Sequence, residues 1–543
     1  MTTASILSSM SVTQIPTLSY PDIRYALLNR YEIAILDVRE EAPFAEAHPL
    51  FAANLPWSKI ETEVYNRIPN KDPFLVVYDD GEGLAVPAAK KLINLGYSNV
   101  YLLEGGLDGW RNAGGEIFRD VNSPSKAFGE LVESKRHTPS LSAAEVQQLI
   151  DNKEDIVVMD VRRFDEYNTM SIPTGISVPG AELVLRAREL APNVTTKIIV
   201  NCAGRTRSII GTQSLINAGI PNSVAALRNG TIGWTLAGQQ LEQGQVRRFA
   251  EEINNTIASE ALQFSRKVAD LAGVKRTNLK LFNTLIAQAD RTNYCFDVRS
   301  PEEYAAGHLP GFISAPGGQL VQETDHYAPV RGARVSLADD NGTRANMTAS
   351  WLAQMGWDVY VIDDITKDDL TETGNSKTLL PPLPELDDSQ LISAEELFLS
   401  LQEINDIVLI DLGTAKEYIN GHIPGSWFVL RSQLDFRIKE LPFAESYVLI
   451  SPDGISASFA LPELQEITQS KVLVLDGGTK AWTDKKFKLK SGETNIASPM
   501  IDRYRRPYEG TDNAVEAMQA YLDWEYGLVD QLDRDGTHGF FVI

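Results

Sequence analysis

The stretch Ile198-Ile199-Val200-Asn201-Cys202-Ala203-Gly204-Arg205-Thr206-Arg207-Ser208-Ile209-Ile210-Gly211 decides how the chain is read. An apolar, β-branched run reads as a buried strand, a polar turn led by cysteine follows it, and Ser208 opens an apolar-periodic segment that reads as a helix. Cys202 is thereby placed on a strand-to-helix turn. Unpaired backbone N–H groups gather at such a turn, and Arg205 and Arg207 add positive charge, so the bowl favours an anion. The same field is expected to lower the pKa of Cys202 and make its thiolate a nucleophile. A cysteine within an apolar core would instead be inert, but this one follows a polar residue and precedes two arginines.

Working outward, the chain repeats itself. The strand end Met159-Asp160-Val161-Arg162 recurs as Leu36-Asp37-Val38-Arg39, Phe296-Asp297-Val298-Arg299 and Ile410-Asp411-Leu412-Gly413, which makes four copies. Each is followed by an acidic or aromatic turn and then a loop, where His48, His308 and His422 occupy one position and Ser171 replaces them in the second copy. With no second ligand at metal spacing, these histidines read as loop residues, and no metal site is expected. The position of Cys202 is held by Asp79, Asp339 and Ser451 in the other copies. A later element, Glu104 to Trp110, recurs as 228–234 and 476–482; it reads as a tight turn whose tryptophan enters the core, without the Lys-Ser/Thr or GxGxxG context of a phosphate cradle. The third copy lacks it, so its closing helix is expected to be short or absent.

The Cys-led six-residue loop, Ser208 with its helix, and the upstream Asp160-Val161-Arg162 together resemble a rhodanese domain, and the whole chain resembles a four-domain rhodanese. The resemblance implies a sulfurtransferase, in which Cys202 takes a sulfane sulfur as a persulfide and passes it to a thiophilic acceptor. It implies that Ala203, Gly204, Arg205, Thr206, Arg207 and Ser208 bind the substrate. Asp160, Arg162 and Arg186 are candidates to orient the donor or the loop, although copies one and three keep the Asp-Arg pair without a thiol, which fits a bracing role equally well. Phosphatases of related fold need an arginine where Ser208 stands, so this bowl is one residue short for phosphate. Two guanidiniums suit a doubly charged donor such as thiosulfate; a neutral small-residue loop would suit mercaptopyruvate. Cyanide or a thiol, including a protein thiol, would accept the sulfur, and no cofactor is needed. Carboxylates cannot carry a persulfide and an unactivated serine is a poor sulfur acceptor, so three copies are expected to be inactive. The alternative is a scaffold or sulfur-relay protein in which those three copies bind partners.

Composition bounds the rest. At 543 residues the chain holds three to four domains, and a net charge of −23 argues against nucleic acid or an anionic membrane as partner. Two cysteines, Cys202 and Cys295, exclude a disulfide framework and fit a reducing cytoplasm; Cys295, in an apolar strand, reads as a buried inert thiol. Residues 1–14 lack the pattern of a signal peptide, so a soluble, unprocessed chain is expected. Short β-branched runs alternating with helix-like segments predict four α/β domains, each a parallel sheet flanked by helices, over residues 15–121, 139–246, 280–366 and 389–492. Residues 122–142 read as a polar linker, and 247–279 as a helical one whose stripe includes Phe249, Ile253, Ile257, Phe264, Val268 and Leu271. Residues 363–388 read as an extended spacer. The tail, 493–543, is expected to be helical over 514–533, with Met518, Tyr521, Leu522, Tyr526, Leu528 and Leu532 as its stripe, and its apolar end is expected to dock on another domain or on the second subunit of a homodimer.

Overall fold

Each of the four predicted α/β units is a five-stranded sheet in which every ladder is parallel, in the order first, fifth, fourth, second, third. The computed structural model describes residues 15–288, 291–402 and 406–543; the expectation of an unprocessed N-terminus concerns residues 1–14, outside the described residues. In the second unit the strands are Ser140–Leu141, Ile156–Asp160, Ile176–Ser177, Lys197–Asn201 and Val224–Leu227. Strand Lys197–Asn201 lies between Ile156–Asp160 and Val224–Leu227, with Ile198 opposite Val157 and Val224. Covered on both faces, it can be apolar throughout: Ile198, Ile199 and Val200 are all fully buried. Alternation sends Ile198 and Val200 into one cluster with Met159 and Leu183, and Ile199 into another with Val158 and Trp234. The third unit ends, as expected, without the closing α-helix, passing instead to a single 3-10 turn, Lys367–Asp369.

The connections depart from the sequence reading. Residues 122–142, read as a polar linker, contain helix Ser123–Arg136, and most of its residues are buried. Its polar sequence hid this because its charges are neutralised internally: Lys126 pairs with Asp120 at 2.5 Å, and Glu130 with Arg205 at 2.7 Å. The stretch 247–279 carries helix Asn255–Leu271, but Phe249 and Ile253 precede that helix, Leu271 is 72% exposed, and its end is strand Lys275–Asn278 of the third sheet. The tail is two helices, Val515–Tyr526 and Leu528–Asp535, broken at Gly527, and Tyr526 is exposed rather than part of the buried stripe.

The units are bonded into one body. The first and third share a hydrophobic cluster that includes Leu36, Val77, Val335 and Leu337, together with Phe128 and Phe540. The apolar chain end therefore docks within this same chain: Phe540 packs edge-on to Phe128 and to Phe51. Arg431 of the fourth unit makes a two-pronged pair with Glu61 of the first, at 2.9 and 3.0 Å, and Arg344 of the third reaches Glu182 of the second at 2.7 Å. Phe128→Ala is expected to cost about 3–5 kcal/mol and to leave the tail open to cleavage near Gly527 under limited proteolysis. A variant whose tail stays as protected as that of the wild type would contradict this anchoring role.

Candidate active site

Cys202 follows the last residue of strand Lys197–Asn201, at the carboxyl edge of the sheet where crevices form in such folds. The next helix, Thr206–Asn217, starts two residues before the predicted Ser208. This puts Ser208 inside the first turn, where its Oγ accepts from the Cys202 thiol at 3.3 Å and donates to the Arg205 carbonyl at 2.9 Å. A second turn buttresses the loop from outside: the N–H groups of Thr231 and Ile232 donate to the carbonyls of Cys202 and Ala203 at 2.9 and 3.0 Å. Gly230 makes that approach feasible, because it has φ +54° and any Cβ there would lie 2.3 Å from the Cys202 carbonyl oxygen. The recurrent Gly element is thus a support for the loop.

The thiol-free copies reveal what the loop is shaped to hold. In the third copy Asp339 accepts from the N–H groups of Gly342, Arg344 and Ala345 at 2.6, 2.9 and 3.1 Å. In the first, Asp79 accepts from Gly81, Leu84 and Ala85 at 3.2, 2.5 and 2.9 Å, and in the fourth Ser451 Oγ accepts from Ala457 at 3.2 Å. The fifth and sixth residues after the key position supply the N–H groups in copies one and three, and these correspond to Arg207 and Ser208 in copy two. Backbone geometry therefore forms an anion cradle, which copies one and three fill with their own carboxylate.

Charge around Cys202 differs from the sequence expectation. Burial pushes the thiol up from its ordinary range, against the pull of Arg207 and of the Ser208 hydroxyl and N–H. Arg205 does not point into the bowl; it makes a two-pronged pair with Glu130 at 2.7 and 2.8 Å, also meets Glu133, and stacks on the ring of Tyr526 at 4.2 Å. Arg207 pairs with Glu166 through two 2.8 Å bonds, holding that carboxyl down at about 2, and still acts on Cys202. The same pair recurs as Arg344 with Glu303 in the third copy, which has no thiol.

The remaining candidates separate cleanly. Arg162 grips Asp160 at 2.8 and 2.9 Å and the Met170 carbonyl at 2.6 Å, while Asp160 accepts from Asn201 Nδ2 at 2.7 Å, so the pair braces the residue before Cys202. Arg39 with Asp37 and Arg299 with Asp297 repeat this brace. Arg186 lies away from the loop, bonded to Glu182, Glu189 and the Glu251 carbonyl and set over Phe249. His48, His308 and His422 bond backbone carbonyls through Nδ1, and Cys295 is pushed up to about 12 by burial. Among the described residues, no group of three His, Cys, Asp or Glu side chains could hold a metal, and no helix is long and apolar enough to cross a membrane.

Parts of the site come from elements that no local sequence signal connects to the loop. Glu130 and Glu133 come from helix Ser123–Arg136, and the tail lays Tyr521 and Glu525 over Gly204, at 3.2 and 3.3 Å from where a Cβ would stand. Cys202 is left 1% exposed. Beside Arg207 a cavity of about 600 Å³ opens, lined by Arg162, Arg163, Lys416, Arg503, Arg505 and Arg506 against Asp165, Glu166, Glu323 and Glu509.

Two outcomes are expected from this geometry. Alkylation of Cys202 by iodoacetamide should be slow at pH 7 and keep rising past pH 9, the ordinary thiol value, because the raised pKa withholds thiolate at lower pH. A plateau already reached at pH 7 would show a low-pKa thiol instead. Gly230→Ala should push the loop out of register and cut Cys202 reactivity at least tenfold, about 1.4 kcal/mol, at positions where nothing but backbone has been touched; equal rates would refute the buttress.

The rhodanese-like domain family matches residues 21–113, 142–237, 281–364 and 394–485. The chain superposes on the crystal structure of a thiosulfate sulfurtransferase from Pseudomonas aeruginosa with a TM-score of 0.96 and 60% identity, covering 97% of this chain and 100% of that one. It is 30% identical over 84 residues to a thiosulfate sulfurtransferase of Pseudoalteromonas translucida, spanning 16% of this chain and 80% of that protein. It is also 29% identical over 122 residues to a candidate sulfur carrier protein of Bacillus subtilis, spanning 22% of this chain and 64% of that protein. Four parallel sheets of one strand order, each carrying the same loop position, and a family match to every one of them lead to one conclusion: the chain belongs to the rhodanese-like family, as a tandem of four such domains.

Proposed function

We propose that the chain is a sulfurtransferase that moves sulfane sulfur from an anionic donor, thiosulfate in the first place, through a persulfide on Cys202. The observation that carries this reading is the cradle: the loop that in copies one and three holds a carboxylate leads, in copy two alone, with a thiol. A group that must become an anion there, first as thiolate and then as persulfide, meets N–H donors already aimed and needs little reorganisation.

In the first half-reaction the Cys202 thiolate attacks the sulfane sulfur of the donor. A new S–S bond forms as the donor S–S bond breaks, and sulfite leaves with the electron pair. The persulfide anion then rests among the loop N–H groups. In the second, cyanide or a thiolate attacks the outer sulfur, and Cys202 departs as thiolate. Arg207 is the loop cation that acts on the sulfur, while Arg205 fixes the loop to helix Ser123–Arg136 and to the tail. Bonded to Glu166, Arg207 offers a fixed field rather than a mobile arm. Copies one and three, whose cradles are filled from within, serve as framework; the acceptor is a small thiophile or a protein thiol that reaches the loop beside Arg207.

Intact-protein mass after incubation with thiosulfate is expected to rise by one sulfur, to fall back on addition of cyanide or a thiol, and to stay constant for Cys202→Ala. Absence of any sulfur adduct from both thiosulfate and mercaptopyruvate would overturn the reading.

A further inference from the structure

The tail brings to the Cys202 loop a group that the repeated domain does not possess. Glu525, on helix Val515–Tyr526, is 0% exposed. Its Oε1 accepts from Tyr521 Oη at 2.8 Å. Its Oε2 is buried without a hydrogen-bond partner and lies 3.3 Å from the point a Cβ on Gly204 would occupy. Two residues further along the loop, Thr206 Oγ1 is also buried and unpartnered. Polar atoms are rarely left so in a folded interior unless something else arrives to bond them.

We infer that Glu525 is a substrate-binding residue, a carboxylic acid whose Oε2–H donates a hydrogen bond to the sulfur anion held in the Cys202 loop. This rests on the sulfurtransferase reading above. The anion is an oxyanion of the donor in one half-reaction and the persulfide in the other.

The surroundings favour the protonated form. Glu130 and Cys202 face Glu525 on the side that disfavours a second negative charge; the hydroxyl of Tyr521, with Tyr508 packed behind it, donates to Oε1 and favours the carboxylate, as do Lys126 and Arg205, but both cations are already paired, with Asp120 and with Glu130. Burial and Glu130 outweigh the cations and the Tyr521 hydrogen bond and push the carboxyl up to about 8. At neutral pH it therefore carries a proton. Because the Tyr521 hydroxyl occupies Oε1, that proton belongs on Oε2, on the side of the loop. Above about pH 8 the proton is lost, and a donor becomes a buried negative charge that repels the bound anion and raises the Cys202 thiol further.

The test is the pH dependence of kcat and KM for thiosulfate in the full chain, for wild type, Glu525→Gln and Glu525→Ala, after the sulfur adduct has been verified by mass on wild type. Wild-type KM is expected to climb above about pH 8, while Glu525→Gln, which cannot ionise, loses that alkaline climb whatever its KM at pH 7. Glu525→Ala, with no donor, is expected to raise KM about tenfold at pH 7, the size of a hydrogen bond to a charged group. Superimposable KM profiles for wild type and Glu525→Gln overturn the inference and leave the sulfurtransferase reading intact. A wild type that never gains sulfur overturns both. Should Glu525→Ala loosen the tail, the nearly isosteric glutamine variant still decides the matter.

Discussion

Each strand-to-helix loop demands a polar acceptor at its start, because the backbone there turns N–H groups toward one point. Copies one and three meet that demand with Asp79 and Asp339, and the fourth copy meets part of it with the Ser451 hydroxyl. Copy two places a thiol there, and Ser208 is its nearest partner. The cradle is thus a property of the backbone, and chemistry enters through one side chain. Copies one and three keep the same loop, with an internal carboxylate bonded to its N–H groups.

The second constraint is the burial of charge between units. Arg205, Arg344 and Arg431 are each nearly inaccessible, and each reaches across to a carboxylate of another segment: Glu130, Glu182 and Glu61. Removing one partner of such a pair strands the other in a poor dielectric, so these contacts fix the register between units more firmly than their net contribution to stability suggests. For the active loop the consequence is direct. Arg205 joins the loop to helix Ser123–Arg136 through Glu130, and the tail completes that joint through Tyr526. The Cys202 loop is therefore held by parts of the chain that lie about 70 residues before it and about 320 after it.

Much of this was legible. The repeats Asp37-Val38-Arg39, Asp160-Val161-Arg162 and Asp297-Val298-Arg299 fell at strand ends because the Asp-Arg brace is local, two residues apart, and any copy of the motif rebuilds it. The polar helix Ser123–Arg136 was not legible, since its burial depends on ion pairs with residues distant in sequence. Nor was the role of Arg205: a guanidinium next to a cysteine has the same local sequence whether it faces substrate or a carboxylate from elsewhere. Nor was the burial of Cys202, which pushes its thiol up against the pull of Arg207 and Ser208: the charged loop is local, whereas burial is set by the packing of residues distant in sequence.

The sequence by itself determined the four-fold repeat, the parallel α/β architecture, the position of Cys202 on its loop and the loss of the thiol from the other copies, because periodicity and backbone turns are encoded within a few residues. Tertiary structure alone decided which carboxylates hold Arg205 and Arg207, how deeply the thiol is buried, and that Glu525 roofs the loop. These are matters of side chains meeting across hundreds of residues, where the partner's identity is set by packing and not by any spacing along the chain.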